Sequence, residues 1–210
     1  LWIRVLQIHK NFLKEKMNND HPVIGVWNTL GSPLVTEVFA SADLDFIIID
    51  FEHGPFDINK TSDYVNSCLI HYCTPIIRIP QNDSWMSLQV LDQGAHGLML
   101  PGVKNKSEAK NFINNIKYDP LGSRGFSPFT KSGGFDNKDL KYKDKANSLI
   151  TSIVIIEDLE GLNNLDEILE IESIDIIYFG AYDLSQSLGL TGDVYNDKVI
   201  SLVKTGVQKV

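Results

Sequence analysis

Short runs of Ile and Val alternate with amphipathic segments along most of this chain. The strand-like runs are Val23–Trp27, Asp45–Asp50, Pro75–Ile79, Gly97–Leu100, Ser152–Glu157 and Asp175–Gly180. Continuous apolar runs of this length are typical of strands buried on both faces of a parallel sheet. The intervening segments predict helices at Pro33–Ala42, Ile58–Cys68, Trp85–Gln93, Ser107–Ile116, Asn164–Glu172 and Asp197–Val210.

This order predicts six βα units and therefore an α/β fold with a parallel sheet and right-handed crossovers. A closed (β/α)8 barrel typically needs ~250 residues, and the chain has 210. Either the barrel is truncated or open, or the sheet is an open doubly wound one. No Gly-rich phosphate loop follows the first strand, which weakens a dinucleotide-binding interpretation.

A long polar segment, Tyr118–Asn147, interrupts the βα pattern and is rich in Gly, Lys, Asp and Asn. Long loops in compact domains are often lids or binding loops. A solvated surface loop is the alternative interpretation, also for Arg124 within it.

Composition narrows the class of protein. The formal net charge of -8 argues against a nucleic-acid-binding or anionic-membrane surface. No run approaches the ~18 apolar residues of a membrane span. Cys68 and Cys73 match neither a disulfide scaffold nor a zinc site, so we expect reduced thiols in a cytoplasmic protein. The chain lacks a Met start and a signal-peptide pattern, so we expect it to lie within a longer reading frame.

Two carboxylates follow two of the predicted strands. Glu157 ends the fifth strand, and Asp183 lies three residues beyond the sixth. Chemistry in (β/α) barrels sits at the carboxyl ends of strands, and paired carboxylates there suit a hard divalent cation. Backbone N–H groups of Gly180 and Ala181 would suit an anionic group beside it. The alternatives are a buried salt bridge for Glu157 and a helix N-cap for Asp183.

Asp50 and His53 form an Asp-x-x-His pattern directly after the second strand. An Asp can hold an imidazole in one tautomer and raise its basicity, which predicts a general base. Glu52 is a competing carboxylate or a surface residue.

Arg78 lies inside an apolar strand, where a charge is costly unless it is paired or faces a polar cavity. A fixed guanidinium can bind a carboxylate and stabilise an oxyanion. A structural ion pair with Asp50 or Glu157 is the alternative.

Six segments in this order carry a family resemblance: Asp50-Phe-Glu-His-Gly-Pro55, Pro75-Ile-Ile-Arg78, Gly122-Ser-Arg-Gly125, Ile156-Glu157, Asn164-Leu-Asp-Glu167 and Gly180-Ala-Tyr-Asp-Leu-Ser185. From about Asn11 to its last residues, the chain resembles the HpcH/HpaI aldolase/citrate lyase family. Within it, the chain is most similar to the metal-dependent class II pyruvate aldolases of the 4-hydroxy-2-oxoheptanedioate type. The resemblance implies a TIM-type (β/α)8 barrel, truncated after about six βα units, with residues 1–210 as a single domain.

The resemblance also implies a reaction. Glu157 and Asp183 would hold Mg²⁺ or Mn²⁺, with Co²⁺ as a further option, and a 2-oxo acid would chelate the ion. Arg78 would stabilise the enolate and the alkoxide formed from the aldehyde. His53, oriented by Asp50, would be the base, acting through water. The small-molecule partners would be a 2-oxo acid such as pyruvate and an aldehyde, and a full-length chain would form a homo-oligomer, a trimer or hexamer.

Three features depart from the family pattern. Ile155 replaces the Gln that many members carry two residues before the metal-binding Glu. Tyr182 makes the usual Gly-Pro-Ala-Asp into Gly180-Ala-Tyr-Asp183, where the backbone of Gly180, Ala181 and Tyr182 is expected to meet the substrate carboxylate. The last two βα units of the family are absent.

Two other functions remain open. One is a lyase or synthase of the same superfamily that acts on citrate-like acids or acyl-CoA thioesters, for which Lys104, Lys106 and Lys131 are available basic residues. The other is a non-catalytic, decayed barrel, favoured by Ile155 and Tyr182 and opposed by the intact acid, histidine and arginine positions.

Overall fold

The computed structural model describes residues 10–135 and 141–210. Within these ranges, six parallel strands form one sheet whose spatial order is the chain order. The strands are β1 (Gly25–Asn28), β2 (Phe46–Asp50), β3 (Thr74–Arg78), β4 (Gly97–Leu100), β5 (Thr151–Ile156) and β6 (Ile176–Phe179). The predicted α/β fold is confirmed as a half-barrel, and each predicted strand is present within two residues of its expected bounds.

The helices of the described residues are α1 (Phe12–Met17), α2 (Pro33–Ala40), α3 (Thr61–Leu69), α4 (Ser84–Asp92), α5 (Lys106–Ile116), α6 (Tyr142–Leu149), α7 (Leu159–Asn163), α8 (Leu165–Leu169), α9 (Ala181–Ser187) and α10 (Asp197–Val207). A 3-10 turn, Ile58–Lys60, leads into α3. Four helices, α1, α6, α7 and α9, lie outside the ranges that the sequence pattern predicted as helical. None of the helices described is both long and apolar enough to cross a bilayer.

The two faces of the sheet bury different sets of side chains. Alternate residues of β2 and β3, such as Ile47 and Ile77, point to the helix-covered outer face and join the largest core cluster. The intervening residues, such as Ile48 and Ile76, form a smaller inner cluster with Ile155. This period of two fixes which side chains reach the interior of the half-barrel.

Helix α1 closes the inner face at the amino ends of the strands. Leu13 is fully buried in the inner cluster, and its N–H donates to Thr74 Oγ1 at 3.0 Å. The buried Asn11 amide donates to the carbonyls of His96 and Leu149 and to Thr151 Oγ1, at 3.1, 2.6 and 2.9 Å. One side chain therefore joins α1 to the starts of β4 and β5.

The polar segment after α5 is anchored at this same amino edge. Lys117 donates through Nζ to the carbonyls of Asn147 and Ile150, at 2.8 and 2.7 Å. Arg124 pairs with Asp92, at the end of α4, at 2.7 Å. These contacts hold the anchored parts of the segment beside the starts of β4 and β5, and Arg124 is buried there rather than solvated. Residues 136–140 of the segment lie outside the described part of the chain.

We expect Asn11→Ala to lower the free energy of unfolding by about 1–3 kcal/mol, because three buried acceptors lose their donor. Urea denaturation followed by circular dichroism measures this. Asn19→Ala is the matched control, since the exposed Asn19 amide donates only to Glu15 O within the same helical segment. Equal midpoints for the two variants would contradict the anchoring role of Asn11.

Candidate active site

Three charged side chains reach the carboxyl edge of the sheet from inner-face positions. Asp50 follows Ile48 by two residues, Arg78 follows Ile76, and Glu157 follows Ile155. Asp50 and Arg78 are also direct partners in the β2–β3 register. The strand alternation that buries the isoleucines therefore brings these charges together above them.

Asp50 and Arg78 form a bidentate, buried ion pair. Arg78 Nε donates to Asp50 Oδ1 at 2.8 Å, and Nη2 donates to Oδ2 at 2.5 Å. The two residues are only 1% and 7% exposed. Burial by itself would raise the pKa of Asp50, but hydrogen bonds from Arg78, Trp27 and the His53 backbone outweigh it and hold this pKa below its usual value. The ion-pair alternative for Arg78 is thus confirmed with Asp50 as partner.

Trp27 supports this ion pair from the end of β1. Its indole N–H donates to Asp50 Oδ2 at 2.9 Å, and its ring lies 4.7 Å from the guanidinium carbon of Arg78. Tyr178 packs on the other part of the indole, with ring centroids 5.4 Å apart. Sequence reasoning did not single out Trp27, although its place at an inner position near the end of a strand was a usable signal.

Glu52 holds Arg78 from a second side. Its Oε2 lies 2.6 Å from Arg78 Nη1. Glu52 is therefore a site residue rather than a surface residue. The sequence showed a carboxylate here but not its direction, because the turn after β2 decides which way the side chain points.

His53 reaches the same edge but not through Asp50. Asp50 accepts the His53 backbone N–H at 3.1 Å, whereas His53 Nε2 lies nearest to a different carboxylate, Glu52 Oε2, at 3.9 Å. The His53 side chain is 68% exposed. The carboxylate of Asp50 accepts from Arg78, Trp27 and two backbone N–H groups. That Asp50 orients the imidazole of His53 stays a prediction.

Glu157 titrates far from its ordinary range. Its pKa is raised to about 7, mainly by burial and further by the negative charges of Asp183 and Glu52. A hydrogen bond from the Gly102 backbone and the charge of Arg78 act in the opposite direction but do not cancel it. The repulsion places Glu157 and Asp183 in one electrostatic neighbourhood, as the two-carboxylate prediction requires.

The turn after β6 packs tightly against Glu157. A Cβ on Gly180 would lie 2.7 Å from both Cβ and Oε2 of Glu157, so only glycine fits here. The Gly180 N–H donates to Ile156 O at 3.0 Å and is not free for a substrate anion, which corrects the expectation for that group. Ala181 and Tyr182 begin α9, where N–H groups lack intrahelical partners.

Asp183 is the third residue of α9 and not its N-cap. Gly180 occupies the cap position, and Leu184 N bonds back to its carbonyl at 3.0 Å. The N-cap alternative for Asp183 is therefore wrong. Tyr182 is 71% exposed beside it, whereas Ile155 is buried in the layer beneath Glu157.

The donor set fits a hard divalent cation. Glu157 and Asp183 would supply oxygen ligands, and the negative charge of Asp183, which raises the pKa of Glu157, would be offset by a nearby positive charge. Within the described ranges, no group of three or more His, Cys, Asp or Glu side chains forms a ready metal cage. Two carboxylates would leave coordination positions for a ligand.

Comparison with known protein families identifies the family of this chain. Residues 23–208 match the HpcH/HpaI aldolase/citrate lyase family, and the chain belongs to it. Hydroxypyruvate/pyruvate aldolase of Agrobacterium fabrum and 4-hydroxy-2-oxo-heptane-1,7-dioate aldolase of Salmonella heidelberg are each 29% identical to it over 201 residues, covering 96% of this chain and 76% of the relative.

Solved structures agree with the fold. Citrate synthase SbnG superposes with a TM-score of 0.87 at 32% identity, covering 96% of this chain and 78% of that one. An HpcH/HpaI aldolase of Desulfitobacterium hafniense gives a TM-score of 0.89 at 28% identity, covering 95% and 78%. The chain is thus a member of an aldolase and lyase family with a TIM-type fold.

We expect Glu157→Gln to stabilise the metal-free protein at pH 8 by about 1–2 kcal/mol. The pKa of Glu157 rises from 4.5 to about 7 on folding, so the folded state binds the proton more tightly and loses stability as pH rises through this range. Thermal unfolding in EDTA should show a gain for Glu157→Gln that fades toward pH 4. A gain that does not change with pH would contradict the assignment.

Proposed function

We propose that this chain is a metal-dependent class II aldolase. It reversibly cleaves a 4-hydroxy-2-oxo acid to pyruvate, or a related 2-oxo acid, and an aldehyde. The observation that carries the proposal is the clustering of Arg78, Glu157 and Asp183 at the carboxyl edge of the sheet, where Glu157 feels both Asp183 and Arg78. The names of the two aldolase relatives support the substrate class.

Glu157 and Asp183 would hold Mg²⁺ or Mn²⁺, with Co²⁺ as a further option. When bound, the cation supplies positive charge that lowers the energy of a developing enolate. Arg78 donates two of its five N–H groups to Asp50 and contacts Glu52 through Nη1 as an ion pair. The N–H groups that do not donate to Asp50 can bind a substrate oxygen. Because Asp50 and Glu52 hold the guanidinium of Arg78 in place, its positive charge is preorganised to stabilise an oxyanion.

His53 is the proposed base. Its exposed side chain at the mouth of the half-barrel can receive a substrate proton directly or through water. The N–H groups of Ala181 and Tyr182 would bind the carboxylate of the 2-oxo acid, and the exposed Tyr182 ring would border the pocket.

The proposal also covers the oligomeric state and the cellular location of the protein. Leu34 and Val38, one turn apart on α2, are 70% and 60% exposed, which supports a homo-oligomer such as a trimer or hexamer. A cytoplasmic location suits small, soluble 2-oxo acid and aldehyde partners.

A citrate-type condensation is the second candidate, favoured by the likeness to citrate synthase SbnG. An acyl-CoA substrate is less well supported, because the three lysines that could bind its phosphates already have polar or acidic partners. Lys104 and Lys106 pair with Asp158 and Glu170, and Lys131 donates to Asn66. None of the three is placed to bind a CoA phosphate at the carboxyl edge without giving up its partner.

The direct test is pyruvate release from a panel of 4-hydroxy-2-oxo acids, coupled to lactate dehydrogenase, with Mg²⁺, Mn²⁺ or EDTA. We expect metal-dependent release with at least one substrate. A tricarboxylate product from oxaloacetate, found by mass spectrometry in place of pyruvate release, would favour the citrate-type reaction. Folded protein that binds no Mn²⁺ in isothermal titration would identify a non-catalytic barrel.

Arg78→Lys should lower kcat by about 10²–10³-fold, because lysine keeps the charge but loses the fork that Asp50 fixes. Mn²⁺ affinity should stay within about threefold, since Arg78 is not a ligand. Both are measured on protein whose melting is cooperative. An equal loss of Mn²⁺ affinity and kcat would show that Arg78 organises the metal site instead.

Gly180→Ala should weaken Mn²⁺ binding by about tenfold or more, because its Cβ would displace the Glu157 carboxylate. Gly125→Ala is the control, since its Cβ would meet only Leu88 at ordinary contact distances of 3.8 and 3.9 Å. In the unchanged chain, affinity should also fall as pH drops below about 7, where protons compete for Glu157. Equal affinities for the two glycine variants would contradict the packing argument.

A further inference from the structure

Glu52 lies between the two groups that the proposed reaction needs. One side of its carboxylate faces Arg78, with Oε2 2.6 Å from Nη1. The same oxygen is 3.9 Å from His53 Nε2. The same carboxylate oxygen therefore contacts a buried cation and lies close to an exposed imidazole.

The Glu52 oxygen still has capacity to accept a hydrogen bond. Oε2 is buried, and although it touches Arg78 it has no aligned hydrogen-bond donor among the described residues. The contact with Arg78 is thus an ion pair whose angle leaves a lone pair unused. A buried carboxylate oxygen in this state is costly unless a donor reaches it.

Asp50 cannot serve His53 in the same way. Its two oxygens already accept five donors: two from Arg78, one from the Trp27 indole and the backbone N–H groups of Glu52 and His53. A carboxylate has about four lone-pair sites. A sixth donor from the imidazole would have to displace one that holds the turn or the arginine.

We propose that Glu52 is the positioning residue for His53. Its Oε2 accepts the Nε2–H of the imidazole, which fixes the Nε2–H tautomer and leaves Nδ1 as the proton acceptor. A movement of about 1 Å closes the gap to hydrogen-bond distance, and the His53 side chain is exposed enough to make it. This inference rests on the proposed function only in assigning His53 as the base.

The competing role for Glu52 is that of a simple counter-ion to Arg78. In that role its loss would alter how Arg78 binds the substrate and would not depend on His53. The positioning role therefore predicts that the effects of substitutions at Glu52 and His53 on the reaction rate are coupled, and the counter-ion role predicts that they are independent. A double-mutant cycle measures this coupling.

The experiment follows exchange of the pyruvate methyl protons with D₂O by proton NMR in the presence of Mg²⁺. This half-reaction needs the base but no aldehyde. The variants are E52Q, H53Q and E52Q/H53Q. The control is E37Q, because Glu37 Oε1 lies 4.0 Å from His71 Nε2 and so forms a similar acid–histidine pair away from the site.

We expect E52Q to lower kcat for exchange by about tenfold or more, with KM for pyruvate and Mg²⁺ affinity unchanged. In the H53Q background, E52Q should have no further effect, and E37Q should match the unchanged chain. An E52Q effect confined to KM, or one of equal size in both backgrounds, would overturn the proposal in favour of the counter-ion role.

A second measurement is independent of activity. Long-range ¹⁵N–¹H correlation of the imidazoles, with His53 assigned through H53Q, reports the tautomer in metal-free protein. We expect Nε2–H for His53, shifting toward a mixture in E52A. The Nδ1–H tautomer in the unchanged chain would overturn the proposal. Absence of exchange together with an Nε2–H tautomer that depends on Glu52 would sink the proposed reaction while supporting the role of Glu52.

Discussion

The ion pair between Asp50 and Arg78 is the constraint on which the rest of the site depends. Each charge is too deeply buried to stand alone, and removing one partner from such a pair typically costs 3–5 kcal/mol. The pair joins neighbouring strands at one level of the sheet. The Asp50 carboxylate also accepts hydrogen bonds from the Trp27 indole and from two backbone N–H groups of the turn after β2, which fixes their positions. Arg78 is therefore held as a rigid charge rather than a mobile one.

The balance of charge at this edge explains why a cation suits it. Four carboxylates, from Asp50, Glu52, Glu157 and Asp183, share the neighbourhood with a single guanidinium. Two of them, Asp50 and Glu52, contact Arg78, whose single positive charge balances only one of their two negative charges. Burial raises the pKa of Glu157 most, and the negative charge of Asp183 raises it further. A proton relieves this repulsion at low pH, and a divalent ion would relieve it at neutral pH.

The residues that stabilise the half-barrel and the residues of the candidate site lie at opposite ends of the strands. At the amino edge, α1 and the polar segment after α5 are bound through buried hydrogen bonds from Asn11 and Lys117. At the carboxyl edge, charged side chains replace the isoleucines as the strands end. The same alternation of side chains serves both, because it directs every second residue into the interior.

The sequence by itself determined the six strands, their parallel arrangement and the charges that follow them, because local hydrophobic periodicity and strand ends are written in consecutive residues. It also identified Asp50, Arg78, Glu157 and Asp183 as neighbours in one edge of the sheet. The tertiary structure decided the partners: Asp50 and Glu52 contact Arg78, and the Trp27 indole contacts both Asp50 and Arg78. It also decided that Asp183 lies within α9 and that α6 forms inside the polar segment. These choices depend on cross-strand register, side-chain direction and burial against distant residues, which no local pattern encodes.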